Sequence, residues 1–81
     1  MTPLHLQQAV PAIRLGKLSV REREVLQMAS AGLTNAEIAR RLAVTVHTVK
    51  FHLASIYRKL EVSNRTEAAT TFFRLSSEAA E

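Results

Sequence analysis

An all-α fold of four helices is what the sequence predicts, on three observations. Helix-start signatures recur at Ser19, Thr34, Thr45 and Ser63–Asn64. Between them, apolar residues repeat at intervals of three and four, the spacing of a single helix face. The stretches separating the segments are short enough for tight turns and little else. The expected helices cover about 20–31, 35–42, 46–60 and 65–76.

The first helix opens on Ser19-Val20-Arg21-Glu22, a capping box. The serine oxygen accepts the amide three residues on, and the glutamate reaches back to the cap amide. Val25, Leu26, Met28 and Ala29 supply its apolar stripe. Gly32 then ends it, since the left-handed conformation favoured just past a helix suits a residue without Cβ. Thr34-Asn35-Ala36-Glu37 repeats the capping box, and Ile38, Ala39 and Leu42 form the buried stripe of a short second helix. Only Ala43 and Val44 separate it from Thr45, the expected cap of the third. A short helix, a tight turn and a longer helix make a helix-turn-helix unit.

In the third helix Val49, Leu53, Ile56 and Leu60 are spaced four, three and four, so they share one face. A rotation of about 100° per residue puts His47, Phe51, Ala54 and Arg58 opposite. Lys50 flanks that outer face on one side, Thr48 and Ser55 on the other. Ser63 or Asn64 caps the fourth helix, where Glu67 again stands in the first turn. Ala68, Ala69, Phe72, Phe73 and Leu75 give it an apolar surface too wide for one small core, so Phe72 and Phe73 are expected to divide between core and interface.

With 81 residues the chain is expected to form one domain with a small core. Residues 1–17 read as an arm or linker remnant, 18–76 as the domain, and 77–81 as a polar tail. No apolar run is long enough to cross a membrane, and the first residues lack the basic start and apolar centre of a signal peptide. Cysteine is absent, which excludes disulfides and thiolate metal sites and fits a reducing cytoplasm. His47 and His52 lie on different faces with no third ligand, so no metal and no cofactor is expected. Nothing combines a nucleophile, a base and an oxyanion site, so the chain does not read as an enzyme.

A net charge of +4 fits an anionic partner. The outer face of the third helix carries a phenylalanine, small residues, hydroxyls and cations, and no acid before Glu61. An ordinary solvated face mixes both signs. The major groove of B-DNA, about 12 Å wide, admits one helix. Lys50 suits guanine O6 and N7, Phe51 a thymine methyl, and Ala54 a close approach; His47 shares that base-facing surface. Phosphate contacts are expected from Thr34 and Asn35 at the N-terminus of the second helix, and from Thr48, Ser55, Arg58, Lys59 and Arg65. Plainer readings stand beside these: Phe51 as a stray surface ring, Arg40 and Arg41 as solvated charges, His52 as a packed histidine, Glu22 and Glu37 as caps only.

From Leu18 to Leu75 the chain resembles the LuxR/GerE-type DNA-binding domain. The signatures are Leu-Ser-Val-Arg-Glu-Arg-Glu-Val-Leu (18–26), Gly-Leu-Thr-Asn-Ala-Glu-Ile-Ala (32–39) and Thr-Val-Lys-Phe-His-Leu (48–53). Lys59-Leu60-Glu61-Val62 and Asn64-Arg65-Thr66-Glu67-Ala68 complete the set. Several signatures in order are far more specific than a bare helix-turn-helix pattern.

The resemblance implies a four-helix domain, often the effector part of a response regulator, that controls bacterial transcription. Its third helix would enter the major groove of double-stranded DNA. The fourth would form a homodimer on DNA through Ala69, Phe72 and Phe73. It further implies RNA polymerase as a partner and a cytoplasmic protein that sits at the nucleoid when bound. Ala43 stands at the turn position where many such motifs carry glycine. The alternative is a helical adaptor or antagonist that pairs with another LuxR-type regulator. The fourth region of a sigma factor shares some of these residues, but His52 and the run from Val62 to Glu67 argue against it.

Overall fold

The computed structural model describes residues 16–80, so most of the expected N-terminal arm lies outside the described residues. Four helices are present: α1 (Val20–Ser30), α2 (Asn35–Leu42), α3 (Val46–Leu60) and α4 (Arg65–Ala80). The first three match the expected spans to within a residue. α4 runs four residues beyond its expected end, because Ser77, Glu78, Ala79 and Ala80 contain no proline or glycine to stop it.

The starts follow from the caps. Ser19 Oγ accepts the Glu22 amide at 3.0 Å, while the Ser19 amide donates to Glu22 Oε1 at 2.9 Å. Thr34 and Glu37 repeat this reciprocal pair at 3.1 and 2.8 Å. Thr45 Oγ1 accepts the Thr48 amide at 3.0 Å. At α4 the cap is Asn64, whose Oδ1 accepts the Glu67 amide at 2.9 Å. There Glu67 reaches one residue further back, to the Ser63 amide at 2.7 Å.

Three helices end in the same way. Leu33 N–H reaches Met28 O, Val44 N–H reaches Ala39 O and Val62 N–H reaches Tyr57 O, at 2.9 to 3.1 Å. Each is the six-to-one bond of a Schellman turn, and each places a left-handed residue just before its donor. Gly32 takes that role after α1, as the sequence suggests, but Ala43 (φ 57°) and Glu61 (φ 60°) take it after α2 and α3. The donors Leu33, Val44 and Val62 are all half-buried against the core, so each turn also contributes an apolar side chain to it.

That core gathers Leu18, Val25, Leu26, Ala29, Ile38, Ala39, Val49, Leu53, Ile56, Leu60 and Ala68. The predicted stripe of α3 is buried along its whole length. Full burial of each large aliphatic side chain contributes about 1.5–3 kcal/mol. Together these contacts hold α3 against α1 and α2 on one side and leave its other side free.

Candidate nucleic-acid interface

The free side of α3 carries His47, Lys50, Phe51, Ala54 and Arg58, all exposed. Phe51 is 68% exposed, and its ring meets His52 edge-on with centroids 6.0 Å apart. A single exposed ring is ordinary on a protein surface; what marks this one is its place on a cationic, acid-free helix face. His52 itself is half-buried on the flank, as a packed histidine would be. No acidic residue occurs between Val46 and Leu60, whereas Arg58 and Lys59 stand in the last turn.

The hydroxyls and cations expected around this face divide into two groups. Thr48 lies at its edge, half-buried, with Oγ1 2.9 Å from Thr45 Oγ1. Ser55 requires a correction. The helical wheel puts it on an open flank, but it is 9% exposed because α1 lies over that flank, and its hydroxyl donates to Glu22 Oε2 at 2.6 Å. Lys59 Nζ donates to Glu22 Oε1 at 2.9 Å. Arg65 turns inward, donating to Leu33 O at 2.8 Å and to Asn35 Oδ1. Ser55, Lys59 and Arg65 therefore act as links between helices.

At the N-terminus of α2, Thr34 Oγ1 and the Thr34 amide are both engaged with Glu37. The Thr34 amide first, and the Thr34 side chain after it, hold the exposed Glu37 carboxyl below its ordinary range. Of the four amides at this end without an intrahelical acceptor by position, the capping box engages those of Thr34 and Glu37 and leaves those of Asn35 and Ala36. Arg40 and Arg41 are exposed one turn further on.

Glu22 is more than a cap. Burial alone would push its carboxyl up. The Ser55 hydroxyl, the Ser19 amide and the Lys59 ammonium outweigh that and hold it at about 2. Neither Ser55 nor Lys59 is near it in sequence, so the only hint available beforehand was a serine and a lysine one turn apart on an acid-free helix.

On α4, Ala69 and Phe72 are half-buried and Phe73 is 55% exposed. Phe72 packs one side against the core and meets Phe73 edge-on at 5.6 Å. Among the described residues no three His, Cys, Asp or Glu side chains gather into a possible metal site. None of the described helices is long and apolar enough to cross a membrane.

Comparison with known proteins gives one consistent result. Residues 16–72 match the family of bacterial regulatory proteins known as the luxR family, or GerE. The putative HTH-type transcriptional regulator YhjB of Escherichia coli strain K12 is 56% identical over 55 residues, which are 68% of this chain and 28% of YhjB. The nitrate/nitrite response regulator NarL of the same organism is 38% identical over 66 residues, 82% of this chain and 31% of NarL. The response regulator StyR has a similar structure, with a TM-score of 0.82 and 30% identity across 88% of this chain and 36% of StyR. The chain thus spans about a third or less of the proteins it resembles. Its four capped helices, its acid-free third helix and the match over residues 16–72 all agree: the chain belongs to the luxR family of bacterial transcriptional regulators and carries their helix-turn-helix domain.

Proposed function

We propose that this domain binds double-stranded DNA in a sequence-specific way, with α3 in the major groove. The observation that carries the reading is the acid-free outer face of α3, with Phe51 uncovered beside Lys50 and Ala54. Lys50 donates to guanine O6 and N7, Phe51 covers a thymine methyl, Ala54 allows close approach, and His47 reaches bases from the first turn. Arg58, Thr48 and the Asn35 amide contact phosphates, which supply most of the affinity and none of the specificity.

Two copies pair through Ala69, Phe72 and Phe73, which occupy positions i, i+3 and i+4 of α4. Three side chains are a small patch beside the roughly 1,200–2,000 Å² of a stable interface, so the pair forms on DNA rather than before it. The site is then an inverted repeat with half-sites about one helical turn or less apart. The setting is the bacterial cytoplasm, at the nucleoid while bound, where the domain directs transcription through RNA polymerase. It binds and does not catalyse.

Selection of bound duplexes from a random pool tests this, run with wild type and Lys50→Ala in parallel. A two-fold motif recovered by wild type and lost in the variant is the expected result. Absence of enrichment over bulk DNA overturns the reading and favours an adaptor that pairs with another regulator of this type.

A further inference from the structure

Among the described residues Glu22 is the one buried acid, and its cap does not require the burial. Glu37 holds the same place in the capping box of α2 and is exposed. What sets Glu22 apart is its pair of bonds to α3. One carboxylate oxygen accepts from Ser55 at 2.6 Å, the other from Lys59 at 2.9 Å. Ser55 and Lys59 are four residues apart, so a single carboxylate grips two successive turns of α3. The carboxylate is itself fixed, because Oε1 also accepts the Ser19 amide at 2.9 Å.

We propose that Glu22 is a positioning residue for sequence readout, fixing the rotation and axial register of α3 so that Lys50, Phe51 and Ala54 are aimed at base edges. This rests on the DNA-reading function proposed above.

The geometry sets the scale. Two anchors on successive turns resist both rotation about the helix axis and sliding along it. A hydrogen bond is lost when its partners part by about 1 Å. On a helix whose outer radius is about 5–6 Å, that is a rotation of about 10°. Side chains on the far face reach further from the axis, so their tips move by more than 1 Å. A bidentate lysine–guanine contact does not survive such a shift, and losing one lowers discrimination roughly 5- to 150-fold. Phosphate contacts are more tolerant, because they depend on charge and distance rather than on a two-point match.

The test is a ratio. Affinities of the full chain for the selected operator and for a scrambled duplex are measured at one salt concentration, for wild type, Glu22→Gln, Ser55→Ala and Val25→Ala. Both affinities come from one preparation, so any loss of folded fraction cancels from the ratio. Glu22→Gln removes the charge that holds Lys59. Ser55→Ala frees one turn of α3 while Glu22 keeps Lys59. Val25→Ala weakens the same helix from within the core and touches neither anchor.

In Glu22→Gln the specific-to-scrambled ratio should fall at least about fivefold, with binding to the scrambled duplex unchanged or tighter. Ser55→Ala should follow in the same direction, and Val25→Ala should keep the wild-type ratio within about twofold. Ratios unchanged in both Glu22→Gln and Ser55→Ala, or an equal loss in Val25→Ala, overturn the proposal. If Glu22→Gln does not fold, Ser55→Ala against Val25→Ala decides. A wild-type chain that prefers no duplex overturns the DNA-reading function itself, a failure visible before any variant is compared.

Discussion

Acid should weaken this domain chiefly through the Glu22 carboxylate. Glu22 has a folded pKa of about 2 against an ordinary value of 4.5. The folded state therefore binds fewer protons than the unfolded chain between those values. Stability from the ionised carboxylate is fully present above about pH 4.5 and is lost as pH falls from there toward about 2. The difference of about 2.5, at about 1.36 kcal/mol each, amounts to about 3 kcal/mol. A domain of this size has a total stability of roughly 3–10 kcal/mol, so the loss is a large share of it. Glutamine imitates the protonated acid. Wild type and Glu22→Gln should differ by about 3 kcal/mol near pH 7 and converge near pH 2. Urea titrations followed by far-ultraviolet circular dichroism, repeated across that range at constant ionic strength, measure both curves. Curves that stay parallel through the acid range would refute the reasoning, since they would assign the pH dependence to other groups.

Two further substitutions test the backbone and the interior. Ala43 holds a left-handed conformation with a Cβ, so Ala43→Gly should raise stability by about 0.5–1 kcal/mol; a lower urea midpoint at unchanged slope would contradict it. Ser30 Oγ is buried without a hydrogen-bond partner, and alanine is the better helix former. Ser30→Ala should therefore be neutral or stabilising by up to about 1 kcal/mol, read as an unchanged or slightly raised melting temperature, and a clear drop would mean the hydroxyl has a partner.

Much of this architecture can be read from the chain because its signals are local. A capping box spans four residues and fixes a helix start, so Ser19 and Thr34 mark their helices unaided, and Thr45 does so as a simple N-cap. The apolar stripe of α3 is likewise complete within fifteen residues, and its burial follows from spacing alone. The end of α4 carries no such mark, so the sequence alone places it four residues short. The fate of the polar side chains is harder to read. A helical wheel knows one axis, and Ser55 is buried because a different helix covers its flank. Lys59 and Arg65 look like free cations in sequence, yet their partners lie 37 and about 30 residues away. Charge announces that a residue has a partner; only the fold reveals whether that partner is inside or out.

The recurrence of one turn at three helix ends has a kinetic consequence. Residues 31–34, 43–45 and 61–64 reverse the chain with almost no slack, and each turn is closed by bonds within its own few residues. Little loop entropy is left to lose when neighbouring helices meet. Helices α2 and α3 pack directly across one of these turns, while α1 packs most extensively on α4, the helix furthest from it in sequence. The turns keep the closure cost of the short-range pairings low, and the pairing of α1 with α4 is the one that must close across the length of the domain. The outer face of α3 is therefore complete only once α1 and α4, the two ends of the domain, have met.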